Sequence, residues 1–420
     1  MNFRSAAVLF FCAVLSTFAF GQPDSSDTGT NRPRVIVTDN APATSPTPKP
    51  RKVVIVNDGA ETAETVDGVS SEEKTAAGSG SRTLSFGEIR SRIEEAKRQM
   101  RVKPLRTAMS PDSQAVDVVR LAFLDWDSNR LDYVVVTKED FLSKDRQSIH
   151  KTERGKTVRI QTIRGNGVNT PVIIYNMNNE PQQPLIVQYP RENGGKFIEM
   201  AYYVSTHPGI VTPETVNAGR IYVRNVLNSA REQLREKGYN IQPRIVDMAE
   251  RLALVEHVDH WRFRNELHPN IYNDVYVLYA LNEGQTYRYA VSSAGAGGMV
   301  QMIPWTYRMI RSRYANVGLM PDFVEGMRNH LNASQAMLLY MQMTWDDLAA
   351  NSTVQAAMAE GIATQEQLMA AGYNSNPARL PGYIKRGGEG WTSLIPRETR
   401  IYLEIYDSVT RHVPLRPRAK

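Results

Sequence analysis

Apolar residues along this chain follow two different periods, and the change between them divides it. Ser85 and Glu88 form an S-x-x-E capping box, and Ile89, Ile93, Ala96 and Met100 then fall on one face of a helix that should run to about Met100. Beyond it come short β-branched and aromatic runs: VDVVRLAFLDWD, LDYVVVT (131–137), TVRIQTIR (157–164), PVIIYNM (171–177), PLIVQYP (184–190) and FIEMAYYVS (197–205). Turn residues such as Gly165-Asn166-Gly167 separate them, which predicts antiparallel strands up to about residue 210. From Thr215 the spacing becomes helical, in NVLNSAREQLREKGY, IVDMAERLALVEHVDHWRF and DVYVLYALNE. A glycine-rich stretch, SSAGAGG (292–298), interrupts two of these helices, and backbone could approach a ligand closely there. The expected fold class is α+β, with a smaller antiparallel α+β unit at 81–213 and a mainly helical unit at 214–420.

The amino terminus changes the picture of where the chain works. MNFR, the apolar run Ser5 to Phe20, and small residues at Ala19 and Gly21 have the chemistry of a secretory signal over 1–21, so the mature chain would begin near Gln22. The run is shorter than the roughly 20 apolar residues that cross a bilayer, so no stable membrane span is expected after its removal. Residues 22–80 are rich in Ser, Thr, Pro, Ala and Gly, with Pro42, Pro46, Pro48 and Pro50 forbidding helix, and read as a disordered tether. Within it RPRVIVTDN (32–40) is echoed by PRKVVIVNDG (50–59), either short docking strands or two apolar patches in the tether. The single cysteine, Cys12, lies in the leader, so disulfides and cysteine metal sites are excluded from the mature chain. Of the formal +6, Arg4 supplies one charge and residues 22–80 hold six Lys or Arg against nine Asp or Glu, so residues 81–420 carry +8. A basic body suits an anionic polymer, and export argues against nucleic acid.

The residues that carry chemistry lie in the helical half. ALNEGQTYRYAVSSAGAGGMVQMIPWTY (280–307) resembles the core of the soluble-type lytic transglycosylases, which share the goose-type lysozyme fold. Glu283 falls on that family's catalytic glutamate, Ser292 on its serine, Gly295-Ala296 on its Gly-Ala pair, and Gly298-Met299-Val300-Gln301 on its Gly-Leu-Met-Gln run. Pro304 and Thr306 match its Pro-x-Thr, Tyr373-Asn374 its Tyr-Asn pair, and LIPRETRIYLEIY (394–406) its Pro-x-Glu-Thr-x-x-Tyr ending. The likeness covers about residues 270–406. It departs at Gly284, where serine is usual, at Val300 for Met, at Ser334 for Gly, and at Asn376, where a glycine is expected and Asn could take a left-handed backbone.

The resemblance implies a lysozyme-like domain that cuts the MurNAc-GlcNAc β-1,4 bond of peptidoglycan. Glu283 would serve as single acid and base, the N-acetyl group would assist, and the product would be a 1,6-anhydromuramic end. It further implies that Ser292, Gln301, Tyr373 and Asn374 line sugar subsites, with Met299 either against a sugar face or in the core.

Elementary chemistry asks for the same kind of acid. A glycosidic oxygen must receive a proton near neutral pH, which needs a carboxyl group in an apolar setting. Glu283 follows the apolar run Val275 to Leu281 and precedes Tyr287, Tyr289, Met299 and Met302, a desolvating pocket if they close around it; otherwise it only ends a helix on the surface. Residues 284–321 contain no Asp or Glu, so a second carboxylate would have to come from afar, such as Asp322 or Glu398. Glu398 and Arg400 read as a structural ion pair. His257, His260 and His268 near Glu256 and Glu266 lack metal-site spacing and read as a solvated helix face. No cofactor or metal is implied. The expected partner is the peptidoglycan glycan strand in the periplasm or cell envelope, or outside the cell, and residues 22–213 are open to an envelope protein as well. The alternatives are a hydrolytic muramidase and a non-catalytic peptidoglycan-binding protein of the same fold.

Overall fold

The computed structural model describes residues 83–105, 117–144 and 147–419; the expected leader at 1–21 and tether at 22–80 lie outside the described residues. The first helix, α1 (Phe86–Val102), starts where the capping box puts it: Ser85 accepts from the Glu88 backbone and Glu88 reaches back to the Ser85 amide. Its buried face is Ile89, Ile93, Ala96 and Met100.

Seven antiparallel strands follow, β1 (Val118–Asp125), β2 (Arg130–Thr137), β3 (Gln147–Lys151), β4 (Thr157–Thr162), β5 (Val172–Tyr175), β6 (Pro181–Asn193) and β7 (Lys196–Tyr203), with a short helix, α2 (Lys138–Leu142), after β2. Six of them run in the order β2-β1-β6-β5-β4-β3, and β7 pairs with β6. Beyond the end of β3, Thr152 bridges back to Val134 of β2 and the Glu153 amide donates to the Tyr133 carbonyl at 2.8 Å, so the sheet curls toward closure. Strand β6 tolerates three prolines because the ladder shifts register opposite Pro184 and again just after Pro190. The Arg120 guanidinium is buried in β1 and satisfied by Gln188, Glu153 and the carbonyls of Met100 and Lys103, which fastens the end of α1 to the sheet. The sequence reading missed α2 and β3. In β3, QSIHK, the one large apolar residue, Ile149, is exposed, so the strand carries no apolar alternation.

The remainder is helical: α3 (Pro213–Glu236), α4 (Pro243–Val255), α5 (His260–Asn265), α6 (His268–Leu281), α7 (Pro304–Arg313), α8 (Phe323–Arg328), α9 (His330–Ala349), α10 (Ser352–Ala359), α11 (Gln365–Asn374), α12 (Leu380–Gly387) and α13 (Arg397–His412). One continuous cluster of buried apolar side chains runs from Ile89 to Val413. No helix among the described residues is long and apolar enough to cross a membrane. Asn376 is extended rather than left-handed, φ −77°, and its side chain accepts from the Ala378 amide to start a 3-10 turn. Glu398 and Arg400, two positions apart, point different ways on α13, and among the described residues no ion pair joins them.

Helices α3 and α6 touch backbone to backbone at Gly219, where a Cβ would lie 2.0 Å from the Tyr276 carbonyl oxygen. A mid-helix Gly→Ala change normally favours a helix by about 1 kcal/mol. Here overpacking should outweigh that, and Gly219→Ala should lose on the order of 1–3 kcal/mol. Denaturant unfolding checks it; a stabilised variant would contradict the close approach.

Candidate functional site

Helix α6 is apolar almost all round and ends at Asn282, whose buried side chain makes a reciprocal amide pair with the end of the sheet. The Val204 amide donates to Asn282 Oδ1 at 2.9 Å, and Asn282 Nδ2 donates to the Val204 carbonyl at 2.8 Å. Glu283 follows directly. Its side chain is 45 % exposed and lies 3.6 Å from the Arg90 guanidinium of α1. Gly284 turns the chain with φ +70°, a conformation in which a serine side chain would be strained, so the departure at this position has a backbone cause. The Gly284 amide donates to the Tyr222 hydroxyl at 2.8 Å. His330 Nε2 lies 2.9 Å from the Thr286 carbonyl, which can only accept, so Nδ1 is free to accept from Tyr222 at 2.8 Å. Beside Glu283 an open groove of about 730 Å³ follows the outer face of α3, lined by Phe86, Glu214, Tyr222, Asn225 and Leu331 among others.

The desolvating pocket expected for Glu283 forms elsewhere. Tyr287, Met299 and Met302 are buried, but the Tyr287 ring stacks on His257, centroids 3.3 Å apart, while Tyr289 packs against Tyr203 and the guanidinium of Arg191. Glu283 is left with a charged neighbour and solvent.

Between α6 and α7 the glycine-rich loop is built from the residues expected to bind sugar. The exposed Ser292 side chain accepts from the Ala296 amide at 3.1 Å. Gln301, itself in a left-handed conformation, donates to the Gly298 carbonyl at 2.9 Å and the Ala290 carbonyl at 3.3 Å. At Gly298, φ +71°, a Cβ would sit 2.4 Å from the Met327 carbonyl oxygen. Met299 is fully buried, so of its two readings the core one holds. The loop offers backbone carbonyls: Met299 O accepts from His257 Nε2 at 2.9 Å, and Val300 O accepts from the Tyr373 hydroxyl at 2.7 Å.

Those two bonds lead to the end of α4. Glu256 caps that helix, and its Oε1 accepts from the Tyr402 hydroxyl at 2.5 Å. Tyr402 comes from α13, where the neighbouring Thr399 donates to Asn374 Oδ1 at 2.9 Å, tying in the residue next to Tyr373. Tyr340 of α9 meets the Tyr373 ring edge-on. Burial pushes the Glu256 carboxyl up to about 8 and the Glu398 carboxylate adds to the rise, while the Tyr402 hydrogen bond opposes it. The hydroxyls of Tyr373 and Tyr402 are held well above their ordinary range, first by burial and then by Glu256. Glu256, Tyr373 and Asn374 are each partly exposed as residues, and Glu398 is exposed.

Three segments singled out in the sequence, Met299-Val300, Tyr373-Asn374 and Glu398-Thr399-Tyr402, thus meet around Glu256. Among the described residues none of them hydrogen-bonds to Glu283. Sequence reasoning missed Glu256 as an acid, although its signal was present: a glutamate directly after the wholly apolar LALV that ends an amphipathic helix. The expected solvated histidine face is also corrected. His257 is held between Met299 and Tyr287, and His268 bonds to Ser408 and the Phe263 carbonyl. Among the described residues no cluster of three His, Cys, Asp or Glu could hold a metal. The chain matches no family model, no curated protein and no solved structure.

These groups set how stability should vary with pH. Burial lowers His207 and His330 to about 4 and His257 to about 3, so below about 6.5 the unfolded chain takes up protons that the folded one refuses. Their contribution is full above about 6.5 and lost as pH falls below it. Glu256 acts oppositely: the fold keeps a proton that the unfolded chain releases above about 4.5, so its contribution is lost as pH rises through 8. The melting temperature should peak near pH 6.5 to 7, and Glu256→Gln should remove the decline that this group imposes between about pH 4.5 and 8, so that stability rises more steeply below the peak and falls less above it. An unchanged alkaline slope in that variant would contradict the buried, protonated acid.

Proposed function

We propose that this chain cleaves peptidoglycan glycan strands as a lytic transglycosylase, with Glu256 as the acid that protonates the glycosidic oxygen. The observation that carries this reading is the convergence of three motif segments on one carboxyl group, which burial pushes up to about 8. Such a group can donate at neutral pH, which is what leaving-group protonation requires. In the proposed reaction the Glu256 proton goes to the oxygen between MurNAc and GlcNAc, and the C1–O bond breaks with its electron pair leaving on that oxygen. The C6 hydroxyl then closes on C1 while its proton passes to the Glu256 carboxylate left by the first step, giving a 1,6-anhydro end and restoring the acid. The α+β fold with a mainly helical carboxy-terminal part is compatible with a lysozyme-like domain, and the basic body and the leader expected from the sequence fit an exported enzyme of the periplasm or cell envelope working on an acidic wall.

A second reading keeps Glu283 as the acid, and its support is the groove of about 730 Å³ beside that residue, large enough for a ligand. Digestion of purified sacculi with product mass spectrometry separates the two. Glu256→Gln should slow release of anhydro products by roughly 10²–10⁴-fold, the usual worth of a general acid, with Glu283→Gln within a few fold of wild type. The opposite ranking moves the acid to Glu283. Products heavier by one water would mean a muramidase, and binding to sacculi without any release would mean a non-catalytic protein.

A further inference from the structure

Helix α3 carries two stripes of residues at helical spacing. One is buried and packs the helix on the body: Val216, Gly219, Val223, Leu227 and Ala230. The other, Glu214, Ala218, Ile221, Asn225 and Ser229, lines the groove of about 730 Å³, and Ile221, at mid-helix, is 51 % exposed there. An apolar stripe left over on a helix that already packs by its first one marks a surface for a partner. The groove also lies where the described chain begins. Phe86, three residues after Thr83, lines it, and the Phe86 amide donates to Glu214 at 2.9 Å, so the segment that precedes Thr83 enters beside the groove.

We propose that the occupant is the chain's own apolar echo KVVIVND, residues 52–58, lying along α3 with Val53 and Ile55 against Ala218 and Ile221 and with Lys52 at Glu214 and Glu283. Length, shape and charge agree. Seven residues at about 3.3 Å each cover about 23 Å when extended, and the stripe from Glu214 to Ser229, 15 residues on at about 1.5 Å each, covers about 22 Å. Four β-branched side chains in a row favour the extended form, which puts Val53 and Ile55 on one side. Two exposed carboxylates, Glu214 and Glu283, line the groove, and among the described residues that line it none is Lys or Arg. Glu283 already has Arg90 at 3.6 Å, but both carboxylates are exposed enough to take a second cation. The 24 residues 59–82 can span up to about 80 Å, ample for the return from Ser229 to Thr83. The resting chain then holds its own segment beside Glu283, and a ligand entering there has to displace it. This occupancy is the same whichever glutamate is the acid.

The only cysteine, Cys12, lies in the expected leader, so one introduced thiol can report on the groove in the chain of residues 22–420. Alkylation of Asn225→Cys should be about tenfold slower in the otherwise wild-type chain than in the chain that also carries Val53→Asp and Ile55→Asp. A Kd of about 0.1 mM is enough for that protection, because a tethered segment acts at an effective concentration on the order of millimolar. A control thiol, Lys385→Cys at an exposed position of α12, should react alike in both chains. Synthetic peptide KVVIVND added to the Val53→Asp, Ile55→Asp chain should restore protection of Asn225→Cys, and a scrambled peptide should not. Equal rates at Asn225→Cys in the two chains, a gain shared equally by Lys385→Cys, or protection that grows with protein concentration and so comes from a second copy would each overturn the proposal.

Discussion

The hydrogen bond between Tyr402 and Glu256 joins the end of α4 to the buried face of α13. A carboxyl group taken from water keeps its proton unless charge or hydrogen bonds compensate, and one phenol hydroxyl is too little to do so. With Glu398 nearby as an additional negative charge, the protonated form is favoured further. The same burial holds the hydroxyls of Tyr373 and Tyr402 neutral, and the Tyr402 hydroxyl donates to Glu256. What reaches this place from the glycine-rich loop is backbone, the carbonyls of Met299 and Val300.

The antiparallel part braces the helical part at the point where α6 gives way to that loop. Asn282 pairs with Val204, the Tyr287 amide reaches the Tyr203 hydroxyl, and Arg288 pairs with Glu199 of β7 at 2.6 Å. On the other flank, the first amide of α1, at Phe86, donates to Glu214 at the start of α3. The end of the sheet therefore fixes the chain on both sides of Glu283, and Glu283 itself takes a half-exposed place opposite Arg90. Its surroundings are those of a surface ion pair.

Local rules were legible wherever one element was stabilised by its own pattern. The Ser85–Glu88 box fixed the start of α1, and Thr212 with Pro213 marks the start of α3 where the period changes. What escaped is non-local. Strand β3 exists because β4 offers it a ladder, and the return of Thr152 to Val134 depends on sheet curvature that no short window encodes. The site followed the same rule. Matching the spacing from a glutamate to Ser292 selects Glu283, but α5 and α6 stand between Glu256 and the loop in sequence, and folding removes that separation. Tyr373 and Asn374 were singled out in the sequence; their meeting with Glu256 and Tyr402, which come from other helices, was not legible there. Gly284 was legible as a departure, and its cause, a left-handed backbone, belongs to the fold.

The central claim is that one glutamic acid side chain of the folded protein still carries its proton at pH 7. Difference infrared spectroscopy of the carboxylic acid band, followed through a pH titration of wild type and Glu256→Gln, measures this directly. The account predicts a protonated carboxyl band at pH 7 that fades around pH 8 and is missing from the variant. A wild-type spectrum with no such band at pH 7, or the same band in Glu256→Gln, would contradict it.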